Sequence, residues 1–179
     1  DLPGGLAGLR DASRRFHARG VRVFVDYNPW DTGTRREGKP DIEALADLVK
    51  AVEADGIFLD TMNAGPAAIR AALDAARPGI VLESELTLKP ELVASHHMEW
   101  AQWIPDGEVP VVLANKWLER RHVHHVIRRW DRDHAGELQM AWMNGTGMLV
   151  WENVFGTWVG WNARDRSTLR AMLPVQRRY

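Results

Sequence analysis

The chain has 179 residues, 45% hydrophobic and 26% charged, with a formal net charge of -1. That composition fits one folded domain and excludes a disordered tail, which needs low hydrophobicity and high net charge. With 23 basic against 24 acidic residues there is no cationic surplus for nucleic acid, and zero cysteines exclude disulfides, thiolate metal sites and a Cys nucleophile. No apolar run approaches the roughly 18 residues of a membrane span. Tryptophan is over-used: nine Trp stand against two Tyr and four Phe, and eight of the nine follow position 99.

Helix and strand signals alternate along the chain. Leu6, Leu9 and Phe16 predict an amphipathic helix over 5–19 that Gly20 ends, and the β-branched run 21–26 predicts a strand. A turn-rich loop over 28–33 follows. Asp41 is the expected N-cap of a helix carrying Ile42, Leu45, Leu48, Val49 and Val52, which runs as far as Gly56. Strands are expected at 57–60 and 80–83, with a helix over 66–76 between them. A short helix over 90–95 and a strand over 98–103 come next.

The stretch 107–131 fits either period, and topology assigns 122–130 as a strand after a loop. Asp133 is expected to cap a helix over 134–143, followed by a strand over 147–151 and a closing helix over 164–173. Such alternation implies right-handed crossovers and parallel strands. Two architectures fit six such strands: an open doubly wound sheet, or part of a (β/α)8 TIM barrel. We expect the barrel, incomplete, as one partial domain over 1–179.

Asp26, Asp60, Glu83 and Glu152 each close an apolar strand core at its C-terminal end, and Glu85 shares a strand face with Glu83. Active sites of parallel α/β folds lie beyond those ends. Carboxylates gathered there repel one another and raise at least one pKa, which suits an acid/base pair. The alternative for each is a structural helix cap. No GxGxxG, GxxxxGK[ST] or GxSxG motif is present, so neither a nucleotide site nor a serine-hydrolase elbow is indicated.

Six of the seven His fall in His96-His97, His122-x-His124-His125 and His134. An H-x-H on a strand with nearby carboxylates can ligate zinc, yet surface or hydrogen-bonded His is the commoner outcome, and no metal is expected. Trp30, Trp100, Trp103, Trp130, Trp151 and Trp158 fall at strand ends or in loops, where indole faces stack well on sugar C–H faces; Trp117 and Trp142 are expected in the core.

Strand-end carboxylates with loop Trp residues resemble the glycoside hydrolase (β/α)8 barrels. The segment Asp55-Gly-Ile-Phe-Leu-Asp60-Thr-Met-Asn63 is similar to the nucleophile strand of the α-galactosidase-type members, where an Asp closes the fourth strand. Residues 21–26 then match the third strand and 80–85 the fifth. The resemblance implies that upstream barrel strands are covalently continuous with this chain in a longer protein. It also implies a general acid on the sixth strand, where this sequence departs by offering Glu99 instead of Asp.

The expected function is therefore hydrolysis of a glycosidic bond in a carbohydrate substrate, without a cofactor. Asp60 is the expected nucleophile or base and Glu83 the general acid, with Glu85 or Glu99 as substitutes. Asp26, Asn28 and Asp31 are expected to bind hydroxyls, Trp30, Trp151 and Trp158 to stack, Arg129 to hold a carboxylate, and Glu152 to join the substrate contacts. The alternatives are a barrel that binds carbohydrate without catalysis and a metal-dependent hydrolase using the His cluster.

Overall fold

A computed structural model describes residues 3–35, 37–101, 109–126, 133–148 and 160–178. The protein is α/β, its strands parallel to their paired neighbours and alternating with helices. It forms two compact units: residues 1–85 with 94–97, and residues 86–93 with 98–179.

In the first unit, α1 (Gly5–His17), α2 (Asp41–Val52) and α3 (Ala67–Ala76) alternate with β1 (Phe24–Tyr27), β2 (Gly56–Leu59) and β3 (Val81–Ser84). The register pairs Asp26 with Phe58 and Phe58 with Glu83. Strand side chains alternate between faces, so one set of residues meets the helices. Ile57, Leu59, Ile80 and Leu82 form that set and pack on Leu45, Val49, Ile69 and Leu73. Each fully buried Leu or Ile contributes about 1.5–3 kcal/mol, so this layer dominates the unit's stability.

Two further features fix this unit. Asp55, at the foot of β2, accepts from Val23 N at 2.9 Å and from His17 Nε2 at 2.6 Å, and pairs with Arg22 and Arg77. Asp41 is the first residue of α2, not its cap. Its carboxylate instead accepts from Tyr27 Oη at 2.9 Å and from Arg35 Nε at 3.0 Å.

The second unit holds β4 (Met98–Ala101), β5 (Val123–Val126) and β6 (Gly147–Met148) with α4 (Val109–Leu118), α5 (Ala135–Asn144) and α6 (Ala163–Gln176). Leu138, Ala141, Trp161 and Met172 form its apolar cluster. The N-cap of α5 is His134, not the expected Asp133, whose Oδ1 accepts from Ala135 N at 3.1 Å from one residue earlier, and Asn162 caps α6 through Asp165 N at 2.9 Å.

The sequence reading needs correcting at four further places. A helix, α4, stands where a loop was expected between the fourth and fifth strands. The expected helix over 90–95 is a single 3-10 turn, Pro90–Leu92. Trp117 is 84% exposed and Trp142 48%, so neither is core. The first strand is shifted towards Tyr27 relative to 21–26, because Tyr27 packs with Val25 on the helix-facing layer.

Candidate active site

The opposite face of the first unit carries the polar residues. Phe24, Gly56 and Val81 lie side by side there, followed by Asp26, Phe58 and Glu83. Gly56 is required by the first of these layers, since a Cβ at that position would come within 2.8 Å of the Phe24 ring. The ladder continues one residue further, with Asp60 N donating to Tyr27 O at 3.0 Å and Glu85 N to Leu59 O at 3.3 Å. Asn28, Asp60 and Glu85 therefore form a third layer at the C-terminal strand ends.

Asp60 is the centre of this arrangement. It is flanked laterally by Asn28 and Glu85 and diagonally by Asp26 and Glu83. Asn28 Nδ2 donates to Asp60 Oδ2 at 2.6 Å, which orients the carboxylate. The next residue, Thr61, sits at φ 56, a left-handed conformation costly for a β-branched side chain. Its backbone N–H donates to the Glu85 carboxylate and its Oγ1 donates to Asp60 O at 2.7 Å. The strained turn thus ties the strand end bearing Asp60 to Glu85.

Burial, and next the charge of Asp60, push the Asp26 carboxyl above its ordinary value. Burial is the larger of the two causes, so repulsion from Asp60 accounts for only part of the shift. Glu83, one layer deeper than Asp60, is 5% exposed.

Trp30 and Asp31 project from a tight turn. Asn28 Oδ1 accepts from Trp30 N at 3.0 Å and Asp31 N at 3.1 Å. Arg35 clasps the same turn, donating to Asp31 O at 2.6 Å and Asn28 O at 2.7 Å. Trp30 is 62% exposed, so its indole is presented to solvent. A cavity of 180 Å³ lies between the end of β1 and α2, lined by Asp26, Tyr27, Asn28, Arg35, Glu37 and Asp41 with Ala44, Leu45 and Leu48 of α2. It is smaller than the roughly 300–1,000 Å³ of whole ligand pockets, so it is one subsite at most.

Glu99, expected with the substrate contacts, is 0% exposed and faces the helix layer of the second unit. Its Oε1 lies 2.9 Å from His124 Nε2 and 3.3 Å from His122 Nε2, and accepts from Asn115 Nδ2 at 2.6 Å. Its Oε2 accepts from Leu88 N at 2.5 Å. Burial alone raises a carboxyl pKa, but the bonds from His122, His124, Asn115 and Leu88 N–H outweigh it and bring Glu99 down to about 2. Among the described residues, Glu99, His122 and His124 form the one group whose donor atoms, all within 4.8 Å of one another, could hold a metal ion.

The remaining His residues are employed elsewhere. His134 Nδ1 bonds Glu137 Oε2 at 3.1 Å and its ring stacks on Trp161 at 3.9 Å. His96 Nε2 accepts from Gly65 N at 3.0 Å, and His97 Nδ1 accepts from Leu82 N at 3.3 Å. Arg129, Trp151, Glu152 and Trp158, with Trp103 and Trp130, lie outside the described residues.

The sequence reading misses Asn115, for it lies on α4, in the stretch expected as a loop. It also misses Thr61, whose conformation leaves no mark in residue type. A larger cavity, of 1040 Å³, lies at the start of β6 among Lys116, Trp117, Arg120, Trp142, Met143 and Gly147, away from the C-terminal strand ends. No family model matches the chain, and neither a curated protein nor a solved structure does.

Proposed function

We propose that the chain belongs to a glycoside hydrolase and carries its strand-end carboxylates, in a (β/α)8 barrel of which these six strands are a part. The observation that supports this is the register that sets Asp60 among Asp26, Glu83 and Glu85 on the face away from the helices. Glycosidic bond cleavage needs two carboxyl groups across an oxocarbenium-like transition state, one to attack or activate water and one to protonate the leaving oxygen.

Asp60, oriented by Asn28, serves as nucleophile or base. Glu83 serves as general acid. Asp26, whose carboxyl favours its proton more than usual, hydrogen-bonds a hydroxyl or shares the proton. Trp30 supplies a stacking face for a sugar ring.

The test is turnover of a panel of aryl glycosides by the full chain, by Asp60→Asn and by Glu83→Gln. Release of aryl alcohol by the parent chain and its loss in both variants, with unchanged circular dichroism, supports the assignment. Turnover that survives Asp60→Asn overturns it. Sugar affinity without turnover in the parent chain would make the protein a carbohydrate-binding barrel instead.

A further inference from the structure

The second unit contains a donor set with no place in that chemistry. Glu99 lies on β4 in register with His124 on β5, and His122 precedes it by two residues on the same face. All three side chains are fully buried, with 0% accessible surface for each. Asn115 approaches from α4 and the Leu88 N–H from the segment before the Pro90–Leu92 turn.

The contacts crowd one atom. Glu99 Oε1 takes the Asn115 amide at 2.6 Å and has two imidazole nitrogens at 2.9 and 3.3 Å. A carboxylate oxygen offers about two lone pairs, so three donors there overfill it. The two imidazole distances have another reading. Ligand atoms each about 2.1 Å from one zinc ion lie about 3.0 Å apart at a right angle and about 3.4 Å apart at the tetrahedral angle. The Nε2 to Oε1 spacings match the edges of such a coordination shell.

We infer that Glu99, His122 and His124 bind a zinc-type divalent cation that staples β4 to β5, with α4 tied to it through the Asn115 bond to Glu99. The donor chemistry fits, since imidazole and carboxylate are the ordinary N/O ligands of Zn²⁺. Part of an outer shell, that of the carboxylate, is also in place. Ligating carboxylates are held by further hydrogen bonds, and Asn115 Nδ2 and Leu88 N supply two here.

Two buried features call for a cation. Glu99 is a carboxylate with no accessible surface, and buried charges are paired or coordinate metals. Asn115 Oδ1 is buried without a hydrogen-bond partner among the described residues, which leaves an acceptor beside the cluster. The position argues for a structural ion. His122 precedes the first residue of β5, and the cluster faces α4 instead of opening at the C-terminal strand ends.

Elemental analysis of the full chain, purified without a metal-affinity resin, tests the inference. The expected result is about one zinc per chain, its removal by dipicolinate, and a fall in melting temperature of at least about 5 °C. Cobalt added to the stripped chain should restore that temperature and give visible absorption bands, and Glu99→Gln and His124→Ala should bind neither metal. Should those variants not fold, cobalt uptake by the unmodified chain decides alone. A folded chain with less than about one-tenth of an equivalent of zinc and no cobalt uptake overturns the inference. So does a metal that both folded variants retain. None of these outcomes involves Asp60 or Glu83, so this inference and the glycosidase proposal fail separately.

Discussion

Both units place carboxylates on parallel strands, and the side of the strand decides what each can do. In the first unit, Asp26 and Glu83, with Asp60 and Glu85 beyond the strand ends, alternate with Ile57, Leu59 and Leu82, so the apolar set takes the helices. In the second unit, Glu99 takes the helix side and is enclosed by His122, His124 and Asn115. A carboxylate away from the helices is not enclosed by that layer. One beneath a helix must be satisfied by protein donors or by a bound cation, because an unsatisfied charge there is very costly.

The sharpest way to break the contrast is to remove one carboxylate from each unit. Asp60→Asn keeps shape and loses charge. If Asp60 is the nucleophile, turnover should drop at least about 10⁴-fold, about 5 kcal/mol, with the urea unfolding midpoint unchanged. Steady-state rates on an aryl glycoside beside a urea titration read both quantities. A variant that loses stability but keeps its rate would reverse the roles assigned to the two units.

The complementary change is Glu99→Ala, expected to cost about 3–5 kcal/mol of stability, since it strands two buried imidazoles and an amide. Chemical denaturation measures it. A loss under about 1 kcal/mol would mean the cluster is not a structural knot. Any activity of the folded fraction should match the parent chain, because Glu99 faces the helices.

The sequence made these two regions unequally legible. The β2 run is apolar from Ile57 to Leu59 and ends in Asp60, so residue type marks a strand and the carboxylate that closes it. Met98-Glu-Trp-Ala offers no such pattern, and nothing local says that Glu99 points to a helix. The H-x-H spacing of His122 and His124 was visible as a possible ligand pair. Their third partner lies on another strand, 23 residues away from His122, and only the register brings it in.

Helix α4 was hidden by its own composition, since a Val-Val pair following Pro110 carries strand propensity. The two misplaced Trp residues follow from helix geometry. Ala141 is buried, and Trp142, about 100° further round α5, turns outward. Trp117 lies two residues past the buried Asn115, nearly opposite it on α4.

A smaller effect sharpens the case for the open face. Trp30→Ala should raise KM about 10-fold, about 1.4 kcal/mol, with kcat nearly unchanged, since stacking acts on the bound sugar. Stability should not move, because the indole is 62% exposed. A KM unchanged across the glycosides that are turned over would remove Trp30 from the site.

The smallest effect belongs to Asp26 and has a definite sign. Burial and the Asp60 charge raise its folded pKa above the unfolded value, so the folded state favours the protonated form. Below the unfolded pKa of about 3.9 both states hold the proton and no penalty exists. As pH rises through the folded value, the folded state loses stability relative to the unfolded chain. Asp26→Asn removes that penalty, so thermal melts should show a slight gain at pH 7 that vanishes near pH 3. The residue is exposed, so solvent screening limits the gain to about 0.5 kcal/mol. Because Asp60 is one of the two causes, the gain should shrink further in an Asp60→Asn background. Equal gains in both backgrounds would leave burial as the whole cause and separate Asp26 from the proposed acid/base group.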